Sequence, residues 1–257
     1  MEHNPKHEAD QLLALGAAQS QRRQYQNALT AFQAALVLYQ TLAIPSGLAK
    51  AYLELGRVQS KLANYALTFE ALQNALAGFQ AINDRRGLAD CRVVLGDANL
   101  AMSQCKKAIL HYQDAVLDYQ SIGSRTGEAN TFNRLGLVYR NLEEYDRAFE
   151  LIEQAILLYR AAGKLPQAAA ALSCLGSVYL SVNQGKQAVL TLNVRSPSTE
   201  VSKTARVRLV PCLIWGLPRA SRTTSRRQPR LSSWRSPPPP PWVNWRSRPR
   251  RFRDCGS

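Results

Sequence analysis

The stretch RTGEANTFNRLGLVYRNLEEYDRAFELIEQAILLYRAAGK, residues 125–164, decides the fold. In its second half, Ala148, Phe149, Ile152, Ala155, Ile156 and Tyr159 recur at three and four residues, the period of an amphipathic helix, and strand alternation is absent. The spacing predicts a helix A over about 126–142, a short polar turn at Glu143-Glu144, and a helix B over about 145–162.

Moving outward, the Leu135-Gly136 pair belongs to a series: Leu15-Gly16, Leu55-Gly56, Leu95-Gly96, Leu135-Gly136 and Leu175-Gly176, each 40 residues from the next. Other positions hold the same register. Tyr25, Tyr65 and Tyr145 follow the glycines by nine residues, with Cys105 in the third unit; Ala28, Ala108, Ala148 and Ala188 follow by twelve, with Thr68 in the second. Ala35, Ala75, Ala115 and Ala155 come next, and then an aromatic at Tyr39, Phe79, Tyr119 and Tyr159. Repetition at this period means a stack of like units, here helical hairpins. The expected fold is all-α, with units at about 7–44, 45–84, 85–124 and 125–164 and a truncated fifth at 165–192.

Glycine inside a helix costs about 1 kcal/mol relative to alanine. Five in register therefore imply a close helix contact that repays the loss, and this assigns Gly16, Gly56, Gly96, Gly136 and Gly176 to packing, with Ala28, Ala108 and Ala148. The contact expected is between successive hairpins, with Phe32, Leu72, Tyr112 and Ile152 filling the space beside it. Start and stop signals agree. Asp84 and Ser124 stand at equivalent N-cap positions and Pro45 at the first helical position, while Gly123, Gly163 and Asn83 suit a left-handed helix end.

A hairpin with Leu-Gly in helix A, tyrosine at the turn and Ala, a large apolar residue, then Ala in helix B resembles the tetratricopeptide repeat. The 40-residue unit is similar to the variant of kinesin light chains, of Leu-Gly-Asn adaptors and of bacterial arrays. The segments 83–89 and 123–129 look most like the bacterial arrays. The third unit departs from the pattern, because Arg92 replaces the large residue found as Leu12, Tyr52, Phe132 and Leu172.

The resemblance implies a right-handed α-solenoid whose concave groove is lined by helix A and takes a protein or peptide partner. Mapped onto this chain, it implies a peptide-binding set of Lys50, Leu53, Arg57, Lys61, Asn130, Asn133, Arg140 and Asn141 across units two to four. Lys50, Arg57, Lys61 and Arg140 can pair with acidic groups, and Asn130 and Asn133 can hold a peptide backbone through amide donors and acceptors. The family's clamp for chaperone C-termini is not expected, because Leu13 and Ala17 stand where its first Lys and Asn would be.

Catalysis is not expected. The chain has no phosphate loop and no Gly-x-Ser-x-Gly elbow, and His3, His7 and His111 lie on separate or terminal elements. No cofactor or metal is expected. Five cysteines at irregular positions do not form a disulfide framework, and Cys91, Cys105 and Cys174 read as small packing residues in a reducing, cytoplasmic setting. No apolar run approaches the ~20 residues of a membrane span.

The formal charge of +15 is unevenly placed. Residues 1–193 carry 18 basic and 16 acidic side chains, net +2; residues 194–257 carry 15 and 2, net +13. From Asn193 the repeat stops inside a helix B, and the tail that follows holds all four Trp, 10 of the 13 Pro and the run Pro237 to Pro241. A disordered basic arm binding nucleic acid or acidic surfaces is one reading of the tail. A proline-rich ligand for a partner groove is another. The third is translation out of frame, with a longer parent array and an effector domain beyond, the array then being its sensory part. The interrupted helix leaves helix A of the last unit partly uncovered, so self-association is expected there.

Overall fold

The computed structural model describes residues 5–193, and the tail that drew three readings lies outside the described residues. Ten helices follow one another: α1 (Pro5–Gln21), α2 (Tyr25–Thr41), α3 (Pro45–Lys61), α4 (Tyr65–Ala81), α5 (Arg85–Ala101), α6 (Cys105–Ser121), α7 (Arg125–Asn141), α8 (Tyr145–Ala161), α9 (Leu165–Ser181) and α10 (Gly185–Asn193). There is no strand among the described residues. The first nine helices are each 17 residues long, and α10 has 9.

Three residues join each helix to the next, and the middle one always has positive φ: Arg23, Ala43, Ala63, Asn83, Ser103, Gly123, Glu143, Gly163 and Asn183, between 51° and 68°. The same closure recurs at each turn. In the first, Gln24 N–H reaches back to Gln19 C=O at 2.9 Å; in the fourth, Asp84 N–H reaches Phe79 C=O at 2.9 Å. A left-handed residue followed by this six-to-one bond is the Schellman ending, which satisfies carbonyls the helix leaves open. The expected Gly123, Gly163 and Asn83 are thus three of nine such positions. Asp84 caps α5 by accepting from Arg86 N–H and Gly87 N–H, both at 3.0 Å, whereas Ser124 makes no side-chain cap bond.

Odd- and even-numbered helices pair as hairpins, α1 with α2 through α9 with α10, and each hairpin packs on the next. Inside the hairpins stand the Leu-Gly glycines. A β-carbon on Gly16 would lie 2.6 Å from Phe32, on Gly56 2.9 Å from Leu72, on Gly96 2.5 Å from Tyr112 and on Gly136 2.5 Å from Ile152. These contacts join helix A to helix B of one unit, not one hairpin to the next. A second glycine series makes the contact between hairpins: Gly47 lies under Tyr39, Gly87 under Phe79 and Gly127 under Tyr119, at 2.3–2.4 Å from an added β-carbon. Gly176 is buried on α9.

Ala28, Ala108 and Ala148 are fully buried, and Thr68 at the same register is buried with its hydroxyl donating to Asn64 C=O at 3.0 Å. A threonine fits this alanine position because the polar atom it adds is paired. Cys91 is a buried free thiol and Cys174 a half-buried one. Cys105 is fully buried at the start of α6.

Arg92 finds its answer on the facing helix. It pairs with Asp118, which is 6% exposed and also lies 3.5 Å from Arg85. The other hairpins place Leu12 with Leu38, Tyr52 with Gly78 and Phe132 with Leu158 at these two registers, so the third unit replaces an apolar pair by an ionic one. A buried carboxylate without that guanidinium would be strongly destabilising.

Candidate functional site

Consecutive hairpins are not parallel slabs. At three junctions helix A of one unit touches helix A of the next, α1 on α3, α3 on α5 and α7 on α9, whereas neither α5 with α7 nor any pair of successive even-numbered helices is in comparable contact among the described residues. Closer approach on the odd-numbered side makes that side the inner one, and the exposed row along it is the candidate site.

Polar side chains bridge this row between units. Arg134 donates to Asp97 of the preceding unit, Arg140 Nη1 donates to Ser177 Oγ of the following unit at 2.9 Å, and Asn133 Nδ2 lies 3.7 Å from Cys174 Sγ. Others close within a unit. Tyr39 donates to Asp10 at 2.6 Å and Tyr112 to Asp97 at 2.6 Å, while Tyr119 donates to Asp90 and Tyr159 to Asn130. Burial, the bond to a carboxylate and its charge push the Tyr39 and Tyr119 phenols far above their usual range, so they remain donors.

The residues assigned to the groove divide accordingly. Lys50, Lys61, Asn130 and Asn141 are exposed, and Arg57, Asn133 and Arg140 are partly exposed. Arg57 forms an ion pair with Glu54 at 3.3 Å, and burial raises the Glu54 pKa although Arg57 opposes the shift. Asn133 Oδ1 is buried with no hydrogen-bond partner in the structure. Leu53 is a correction: at 5% exposure it belongs to a core cluster with Leu72, Phe79, Cys91 and Leu95, because its side chain turns into the α3–α4–α5 junction. Sequence spacing could not separate inward from buried on a helix packed on two sides.

A cavity of about 410 Å³ opens at the turn between α7 and α8, lined by residues that include Glu143, Glu144, Asp146, Arg147 and Phe149. Arg147 is committed there, to Glu144 and to the face of Tyr139 at 5.4 Å, and Phe149 packs on Tyr179 with ring centroids 4.6 Å apart. Among the described residues no group of three His, Cys, Asp or Glu side chains is placed to hold a metal. No helix among them is long and apolar enough to cross a membrane.

Comparison with known proteins agrees with the hairpin geometry. The tetratricopeptide repeat family model matches residues 127–194. No curated protein matches the chain. Among solved structures, BtubC (BKLC) from P. vanneervenii is 17% identical with a TM-score of 0.64, over 88% of this chain and 89% of that one. A Rap protein complexed with Competence and Sporulation Factor is 14% identical with a TM-score of 0.67, over 76% of this chain but 54% of that one. The nearly identical repeats of a putative kinesin light chain from Podosopora anserina are 18% identical with a TM-score of 0.60, over 76% of this chain and 95% of that one. The described helices therefore form an α-solenoid of the tetratricopeptide-repeat type, with the family's own sequence pattern matched over residues 127–194.

Proposed function

We propose that the chain is a non-catalytic interaction scaffold that holds a partner polypeptide along the helix A face of units two to four. The carrying observation is the closer approach of odd-numbered helices, which turns their exposed polar row into the inner face of a curved stack. Its side chains suit a peptide. Asn130 and Asn141 offer exposed amides and Lys50 and Lys61 exposed ammonium groups. Complexes of two proteins with this fold, a Rap protein with Competence and Sporulation Factor and NprR with its cognate peptide NprX, support the reading.

Site-specific photo-crosslinking tests it. A photoreactive side chain at Lys61 or Asn141 should trap the partner, whereas one at Val37 or Leu157, exposed by 61% and 64% on helix B, should not. Trapping from helix B positions alone would overturn the reading. Deleting residues 194–257 separates it from binding through the basic tail, since tail-driven binding to phosphate disappears with the tail and collapses with salt.

A further inference from the structure

One register position, six residues before the Leu-Gly glycine, runs along the inner face of the four complete units as Asp10, Lys50, Asp90 and Asn130, and the truncated fifth has Ala170 there. Three of the four are already engaged. Asp10 accepts from Tyr39, Asp90 from Tyr119 and Asn130 from Tyr159, in each case a helix B hydroxyl 29 residues along the chain. The fourth differs at both ends. Lys50 is a donor and cannot accept from a phenol, and the residue 29 positions on is Phe79, buried to 1% exposure and carrying no hydroxyl. Lys50 makes no hydrogen bond or ion pair with any described residue and is exposed.

The rest of α3 strengthens the contrast. At this position, seven residues on and eleven residues on, side chains fall on one helical face. On α3 these are Lys50, Arg57 and Lys61; on α1 they are Asp10, Ala17 and Gln21; on α5, Asp90, Asp97 and Ala101; on α7, Asn130, Leu137 and Asn141. Among these helices α3 alone presents three cations. Arg57 spends its charge partly on Glu54, and the inner-face guanidiniums of α7 are occupied by Asp97 and Ser177.

We infer that a polypeptide lying on the helix A face places an acidic side chain against Lys50 of α3, the position where a Tyr-to-acceptor bond is replaced by a free ammonium opposite Phe79. This inference rests on the reading of that face as the binding surface and names the chemistry of its occupant. The Lys/Phe pair acts as a socket: it removes the internal partner and leaves a cation facing outward. An Asp or Glu of the partner supplies the acceptor missing from the row.

Selection from random short peptides, displayed on phage through their C-termini so that no free terminal carboxylate is offered, tests the inference on the full chain. Peptides enriched by the wild-type protein should contain Asp or Glu, and a synthetic version should lose at least about five-fold in affinity on Lys50→Ala. Replacing its acidic residue by the amide should produce a similar loss, and that loss should vanish in the Lys50→Ala background. The double variant Lys50→Asp with Phe79→Tyr restores the bonded rung of the other units; it should melt no lower than wild type yet fail to bind the acidic peptide. Enrichment without acidic residues, or unchanged affinity for Lys50→Ala, would overturn the inference while leaving the binding face standing. If no peptide is enriched by the wild-type chain, the face itself is wrong and the inference falls with it.

Discussion

Tyr39 Oη donates a 2.6 Å hydrogen bond to Asp10 Oδ1, tying helix B of the first hairpin to the inner edge of its own helix A. The bond is partly buried and its acceptor is charged, so it exceeds the ordinary net worth of a hydrogen bond, about 1 kcal/mol. Tyr39→Phe should lower stability by about 1–2 kcal/mol, a fall of a few degrees in melting temperature for a chain of this size. Asp10→Asn keeps an acceptor, as Asn130 does for Tyr159, and should cost much less. Equal losses for the two variants in thermal unfolding would contradict this account.

Gly87 separates the second and third hairpins by the width of a missing methyl group. An added β-carbon would sit 2.3–2.5 Å from ring atoms of Phe79, including the atom that joins the ring to its own β-carbon, so the side chain cannot swing its far end aside. Gly87→Ala should cost about 1–3 kcal/mol by overpacking. Adding Phe79→Leu should recover part of that loss, whereas it should not rescue Gly96→Ala, which clashes with Tyr112 instead. Chemical denaturation of the single and paired variants provides the check.

The 40-residue period was legible because both ends of each Gly16-type contact are marked by residue identity, a glycine and a large side chain. Gly47, Gly87 and Gly127 were equally visible as letters, but they lie in the first turn of helix A, where a glycine also reads as a permissive helix start. The half-period of the turns was hidden for a different reason. Five of the nine left-handed residues are Arg, Ala, Ser or Glu, which propensity does not flag, and the six-to-one bond that holds them is formed by backbone alone. Pairings such as Tyr119 with Asp90 required the hairpin to be closed before residues 29 apart could be seen as neighbours. Asp118 left a fainter clue, an acid at a buried register in the same unit that loses its aromatic to Arg92.

Those turns can be tested directly. Ala43 at φ 51° and Ala63 at φ 59° carry a β-carbon in the region where only glycine is free of strain. Ala43→Gly and Ala63→Gly should each raise stability by up to about 1 kcal/mol, offset in part by the greater freedom of glycine in the unfolded chain. Gly123→Ala, at φ 67° with open space around it, should lower stability by a similar amount through backbone strain alone. Melting curves that move in the opposite directions would refute the argument.

Asp118 and Arg92 should behave as a pair. Asp118→Ala strands a partly buried guanidinium and should cost about 2–3 kcal/mol, tempered by the 30% exposure of Arg92. Arg92→Leu together with Asp118→Leu recreates the Leu12 and Leu38 arrangement of the first hairpin and should return close to wild-type stability. A double variant less stable than either single one in urea titration would show that the apolar substitute does not fit.

His111 gives the fold a pH dependence of definite sign. Burial holds its imidazole below the usual 6.5; Arg92 and Lys107 push the same way and Asp114 opposes them. The unfolded chain therefore takes up this proton first, so the stability contributed is complete above about pH 6.5 and is lost as pH falls through the depressed folded value. Glu54, raised by burial, acts in the opposite sense at lower pH. His111→Gln should flatten the decline of the melting temperature between about pH 7 and 5, and an unchanged slope would remove His111 from the explanation.

The uniform beat of nine 17-residue helices and three-residue joints has an evolutionary corollary. A block cut from one left-handed joint to its equivalent, such as Ala43 to Asn83, begins and ends in the same backbone state. Such a block can be duplicated or lost by recombination without bending the chain at the seam. Array length can then drift in whole hairpins, while the charge set on any one of them, as on α3, is free to specialise.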